Sequence, residues 1–258
     1  MTWTAIAALV VAMTLEAVWV SPAAQDALGI ARPRLTGSFE ICGLHLHLKD
    51  AYADSAWTVL TFSGMPPKMV TGGVLWDQFG YPYPGELARN NDAGDIAMGF
   101  KAANPLVALA GLRFTMTMTA CDPDPEHHGR SVAVAQGSVV FDRGSPLPAP
   151  APGRLGDGEI TFESVRYGGG VLALGLRTSG IRVTGGWCCG EVYGWLVPSI
   201  EVRLIPNLGG SAQSMPYRTQ TSGDATEVHV IAMLVTPGPY TLEVSLGQAT
   251  LERTIVVG

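Results

Sequence analysis

Charge is scarce in this chain. Asp, Glu, Lys and Arg together make up 15% of its 258 residues, and only three of those are Lys. A disordered or coiled-coil protein needs far more charge and far less than the 47% apolar content seen here. The basic residues are scattered and the net charge is −6, so no basic stripe marks a nucleic-acid surface. Catalytic motifs are missing too. There is no Gly-x-Ser-x-Gly, His-Glu-x-x-His, P-loop or Gly-x-Gly-x-x-Gly. The carboxylates of Asp50 and Asp54 fall beside a hairpin turn, where Asp serves turn chemistry alone. The chain is therefore read as non-enzymatic, and no cofactor is expected. Abundant Gly and Pro, 32 and 18 residues, favour turns over long helices.

What is present begins with an apolar N-terminus. Residues 4–15 carry no charge, Glu16 interrupts, and Ala17, Val18, Trp19 and Val20 resume the run. Eighteen residues, 3–20, suffice to span a bilayer with Glu16 near an interface. Trp3 and Trp19 sit at the two ends as interfacial aromatics do, and Pro22 stops the helix. The lack of Lys or Arg before the run goes against both membrane readings, since a signal peptide has a basic n-region and the positive-inside rule favours the other orientation. In favour of a cleaved signal peptide is the small-x-small pattern Ser21-Pro22-Ala23. A buried helix is the third reading. The anchor is preferred. It implies a bacterial cell-membrane protein with its C-terminal bulk outside the cytoplasm, where disulfides form.

After residue 35 the hydrophobic period becomes two. Cys42, Leu44, Leu46 and Leu48 alternate with Gly43, His45, His47 and Lys49, which predicts a half-buried strand. Residues 57–62 pair with it as a hairpin. Runs at 69–76, 112–120 and 132–141 read as strands, as do 159–165 and 171–178, joined across 166–170. Residues 200–205, 227–235, 240–246 and 250–257 continue the series. At 85–88 and 104–110 the pattern allows one turn of helix at most. Residues 144–156 hold four Pro and read as a semi-extended linker without strand. The expected organisation is therefore all-β. Residues 1–35 form an anchor or signal segment and spacer. A first β-sandwich occupies 36–143, a linker 144–156, and a second, immunoglobulin-like sandwich 157–258.

The order of features carries a resemblance. An apolar segment leads through Ser21-Pro22-Ala23 and Ala27-Leu28-Gly29 into Gly43-Leu44-His45-Leu46-His47-Leu48-Lys49-Asp50-Ala51-Tyr52-Ala53-Asp54-Ser55, then Thr58-Val59-Leu60. This resembles the extracytoplasmic part of bacterial membrane proteins similar to anti-sigma factors, over residues 20–145 and more loosely 156–258. The resemblance implies a β-domain followed by an immunoglobulin-like domain, in a setting of envelope sensing or protein interaction. It supplies no catalytic residue.

Four Cys are disulfide candidates. Cys42 and Cys121 are able to bridge within the first domain if Cys121 lies past its strand end. Adjacent Cys188 and Cys189 either close a strained ring or remain free, or one pairs with another chain. His45 and His47, with His127 and His128 in a loop that also holds Cys121, are metal candidates if strand and loop meet. A solvated strand face is the alternative. Two aromatic clusters lie in Gly-rich turns: Trp76 to Gly85, and Trp187 with Tyr193 and Trp195. Such rings stack on sugars or dock a protein when exposed, and otherwise cap the core. Three functions follow: a membrane-tethered sensing or interaction protein whose partner is a protein or envelope component, a secreted surface- or carbohydrate-binding module, and a periplasmic metal-binding protein.

Overall fold

The computed structural model describes residues 38–41, 44–64, 72–104, 112–119, 132–181, 183, 200–222 and 225–258. The expected anchor over 3–20 lies outside them. Every regular element among the described residues is a strand, and neighbouring strands in the sheets are antiparallel. The fold is two β-sandwich domains in tandem.

The first domain holds β1 (Ser38–Ile41), β2 (Leu44–Ala53), β3 (Trp57–Ser63), β4 (Gly72–Trp76), β5 (Pro82–Asn90), β6 (Asp95–Lys101), β7 (Leu112–Thr119) and β8 (Val132–Val139). They form one sheet in the order β1-β2-β3-β6-β5-β4-β7-β8, and β8 runs close beside β1. The sheet folds over at β5. Its Pro82–Pro84 end pairs with β4, and from Gly85 onward it pairs with β6. The corner requires glycine at 85, because a Cβ there would stand 2.6 Å from the Gly73 carbonyl oxygen. Leu46, Leu48, Leu60, Phe62, Ile96, Met98 and Phe100 from one layer meet Leu75, Tyr83, Leu112, Phe114 and Val139 from the other in a single core.

The second domain begins within the expected linker. β9 (Ser145–Pro146) and β10 (Gly153–Leu155) pair with opposite ends of β11 (Gly158–Gly168). The reading of 144–156 as free of strand is corrected accordingly. Leu147 donates its backbone N–H to Val165 at 2.8 Å, and Arg253 donates to the Ala151 and Pro152 carbonyls at 2.8 Å each. Proline is admissible there because an edge strand needs no outward N–H. Then come β12 (Val171–Ser179), β13 (Glu201–Pro206), β14 (Gln213–Ser214), β15 (Tyr217–Ser222), β16 (Ala225–Met233), β17 (Gly238–Leu246) and β18 (Ala249–Val257). Gly169 and Gly170, both at positive φ, make the two-residue turn between β11 and β12. The strand orders β11-β12-β16-β15 and β14-β13-β17-β18 correspond to strands A-B-E-D and C′-C-F-G of an immunoglobulin domain. Tyr240, near the start of β17, donates its hydroxyl to the Thr236 carbonyl at 2.7 Å, which is the tyrosine corner of that fold. Leu242, two residues on, is fully buried where antibody domains carry a cysteine.

Two further expectations are corrected. Residues 85–88 are strand, not helical turn, because they form the corner of β5. Asp50 lies within β2, so only Asp54 serves the turn, its Oδ1 accepting the N–H groups of Ala56 and Trp57 at 2.7 Å.

The domains share a third core. Tyr52, Trp57, Val59, Leu87 and Ala97 of the first domain pack on Val171, Ala173, Ile231 and Met233 of the second. Trp57 is fully buried, with its Nε1 3.4 Å from the His229 carbonyl and the Arg218 guanidinium 4.3 Å above its ring. Arg218 also pairs with Glu86. Glu86 is the extra residue of a bulge between Gly85 and Leu87, which turns its carboxylate out of the ladder toward the second domain. Replacing Trp57 with Ala is expected to cost about 3–5 kcal/mol. Urea unfolding should split from one transition into two; two transitions already in the wild type would contradict a shared core.

Asp50 is half-buried beside this junction. Burial raises its pKa above the ordinary 3.8, with Asp142 and Asp95 adding to the shift and Lys49 opposing it. A carboxyl whose folded pKa is raised stabilises the fold below its unfolded pKa and loses that contribution as pH rises through the folded value. Asp50→Asn should therefore melt above the wild type at pH 7, and the gap should close on acidification below about pH 4. Thermal unfolding across that range is the measurement.

Candidate functional site

The turn between β4 and β5 is built around one carboxylate. Asp77 is 8% exposed. Its Oδ1 accepts the backbone N–H of Phe79 and of Tyr81, each at 2.9 Å, and its Oδ2 accepts the Tyr83 hydroxyl at 3.0 Å. Backbone bonds from Asp77 N–H to the Tyr81 carbonyl and from Gly80 N–H to the Asp77 carbonyl close the loop. This is Asx-turn chemistry extended over five residues. Tyr83 is buried and pushed above the ordinary phenol range, chiefly by desolvation. Its oxygen also accepts the N–H of Asn104 at 3.3 Å. Gln78 accepts the backbone N–H of Arg113 at 3.2 Å, tying the turn to β7.

The carboxylate thus holds the loop while the aromatic side chains around it face water. Phe79 is 79% exposed, Tyr81 62% and Trp76 37%. Tyr81 stands edge-on to Tyr83 with ring centroids 5.2 Å apart, so one exposed ring leans on a buried one. The sequence admitted either exposure or core-capping for this cluster. Tyr83 caps the core, and the other three rings project.

The remaining candidates fare differently. His45 and His47 are both exposed on one face of β2, while Leu46 and Leu48 between and beyond them are buried. That is the solvated strand face. Among the described residues no group of three or more His, Cys, Asp and Glu side chains is placed to hold a metal. His127 and His128 lie outside the described residues, as do Cys42, Cys121, Cys188 and Cys189, and Trp187, Tyr193 and Trp195.

No family model and no curated protein matches the sequence. Solved structures similar to it include a conserved domain protein from Bacillus anthracis, 10% identical with a TM-score of 0.40, covering 86% of this chain and 90% of that one. A marsupial T cell receptor is 12% identical with a TM-score of 0.23, covering 82% and 61%. A tetra-tandem repeat from the extending region of a large adhesion protein is 10% identical with a TM-score of 0.25, covering 83% and 48%. At scores this low no residue role is carried over from any of them.

Removing the Asp77 carboxylate leaves two turn N–H groups and a buried phenol without their acceptor. Asp77→Ala should lose roughly 1–3 kcal/mol in urea unfolding. An unchanged midpoint would mean that water replaces the carboxylate without loss.

Proposed function

We propose that this chain is a non-enzymatic, membrane-tethered extracytoplasmic protein of the bacterial envelope, serving in sensing or interaction through its β-domains. The apolar run over residues 3–20 supports the tether. The resemblance of residues 43–60 to extracytoplasmic domains of anti-sigma-factor-like membrane proteins supports the setting. The partner in this reading is a protein or another envelope component, and nucleic acid is not a partner for a chain of net charge −6 without a basic stripe.

The braced aromatic turn carries the reading. A fold that spends a buried carboxylate on holding a loop, and leaves Phe79 79% exposed at its tip, gains no stability from that ring. Rigid exposed aromatics are the residues that give binding surfaces most of their energy at least entropic loss.

Location is the part most open to direct test. A tagged chain should sediment with membranes and be released by detergent. In intact cells a maleimide unable to cross the cytoplasmic membrane should label Phe79→Cys above the wild-type background. Labelling only after lysis would overturn the extracytoplasmic reading.

A further inference from the structure

We propose that the β4–β5 turn is a binding site for an uncharged polysaccharide, with sugar rings stacking on Phe79, Tyr81 and Trp76. The proposal rests on the reading of this turn as a docking surface and names what docks there.

Three observations select this ligand. The first is charge. The only ionisable side chain between Trp76 and Pro84, phenols aside, is Asp77, which is 8% exposed, with both oxygens engaged by the turn itself. The exposed residues of that stretch are Trp76, Gln78, Phe79, Gly80, Tyr81, Pro82 and Pro84, and none is charged. The stretch itself holds no counter-charge for a phosphate, an acidic peptide or a polyanion.

The second is area. Aromatic side chains bury about 150–250 Å² each. The exposed fractions of these three rings therefore leave roughly 350 Å² of aromatic surface. A stable protein interface needs about 800 Å² on each partner. The patch is small for a folded partner and suited to a few sugar rings, whose C–H faces are apolar and whose rims carry hydroxyls.

The third is the surrounding polar chemistry. Arg113 is exposed on β7, and its backbone is bonded to Gln78. Its guanidinium, a single cation on the strand tied to the turn, carries a fork of donors of the kind that sugar hydroxyls accept. Docking to an anionic bilayer relies instead on a cluster of Lys and Arg, and the exposed stretch from Trp76 to Pro84 contains neither.

The geometry is preorganised. Asp77 fixes the backbone of Phe79 and Tyr81 before any ligand arrives, so binding freezes little more than side-chain rotation. Asp77 is a positioning residue here, and the rings make the contact.

The test uses the full chain in detergent micelles. Retention is measured on microcrystalline cellulose, chitin and insoluble xylan, and by gel retardation in soluble β-1,3-glucan and mannan. Binding to at least one, competed by oligosaccharides of the same sugar, is expected. Phe79→Ala and Tyr81→Ala should each weaken it roughly tenfold, while Phe79→Trp should preserve it. Because Phe79 is so exposed, its variants should melt like the wild type, which separates lost contact from lost fold. The paired replacement of exposed His45 and His47 by Ala should bind normally.

Three results would overturn the proposal: no retention on any of these polymers, retention unaltered by both ring deletions, or protection of Phe79→Cys from an aqueous maleimide by phosphatidylcholine nanodiscs but by no polysaccharide. The last would identify a bilayer as the ligand. Failure of the polysaccharide test leaves the membrane tether and location untouched, since those are read by fractionation and labelling in cells.

Discussion

The indole of Trp57 lies between two sheets that have each already buried their other face. On one side, Leu60 and Phe62 of the same strand point into the first core. On the other, Leu172 and Leu174 of β12 and Val228 and Val230 of β16 point into the second. Trp57 and its neighbours fill the space between these layers. β3 consequently has no wet face, and six of its seven residues are buried. A strand buried on both sides is usual in sheets covered by helices. Here a second domain provides the cover. The position of each domain is set by the need to bury this middle layer, and the Glu86–Arg218 pair with the guanidinium over Trp57 adds direction to an otherwise non-directional contact.

Bulges make this arrangement compatible with antiparallel pairing. In β2, Leu46 and Leu48 face the first core, but so do Ala51 and Ala53, one residue out of phase. Lys49 is the extra residue between Leu48 and Asp50 that flips the phase and sends Tyr52 to the domain junction. Glu86 does the same in β5 and reaches the second domain. Between Phe162 and Ser164 the pairing of β11 shifts again, with Glu163 as the added residue. Each bulge places a charged side chain outside the ladder, and all three aim it at an ion-pair partner across a layer or a strand: Lys49 at Asp95, Glu86 at Arg218, and Glu163 at Arg177.

The strands legible from alternation are those with one wet face, whereas β3, with none, was legible only as an aromatic and β-branched run following a short turn. His45 and His47 against Leu46 and Leu48, or Arg113 between Leu112 and Phe114, display the period of two directly. β6 is illegible for the opposite reason. Asp95 to Phe100 are all buried, so polarity does not alternate. β5 is hidden by Pro82, Pro84 and Gly85, which read as a turn yet sit where the strand pairs on one side only and then bends. The linker misled through the same residue type, since its prolines occupy an edge. For the candidate site, composition marked the aromatic cluster. It did not show that Tyr83 turns inward to Asp77 while Phe79 turns outward, because that partition depends on which phenol the carboxylate reaches.

The connector between the domains has a mechanical meaning. It runs the length of β11, bonded at Ser145 and Pro146 near one end, at Gly153 to Leu155 near the other, and clasped between by Arg253 of the far sheet. A pull on the second domain through residue 144 therefore loads a row of bonds along the strand axis in addition to the single chain joining two folded bodies. Antiparallel strands drawn past one another must break many bonds together. Tension applied across the two domains would be shared between the connector and the Trp57 layer, and the covalent junction would be the last place to extend.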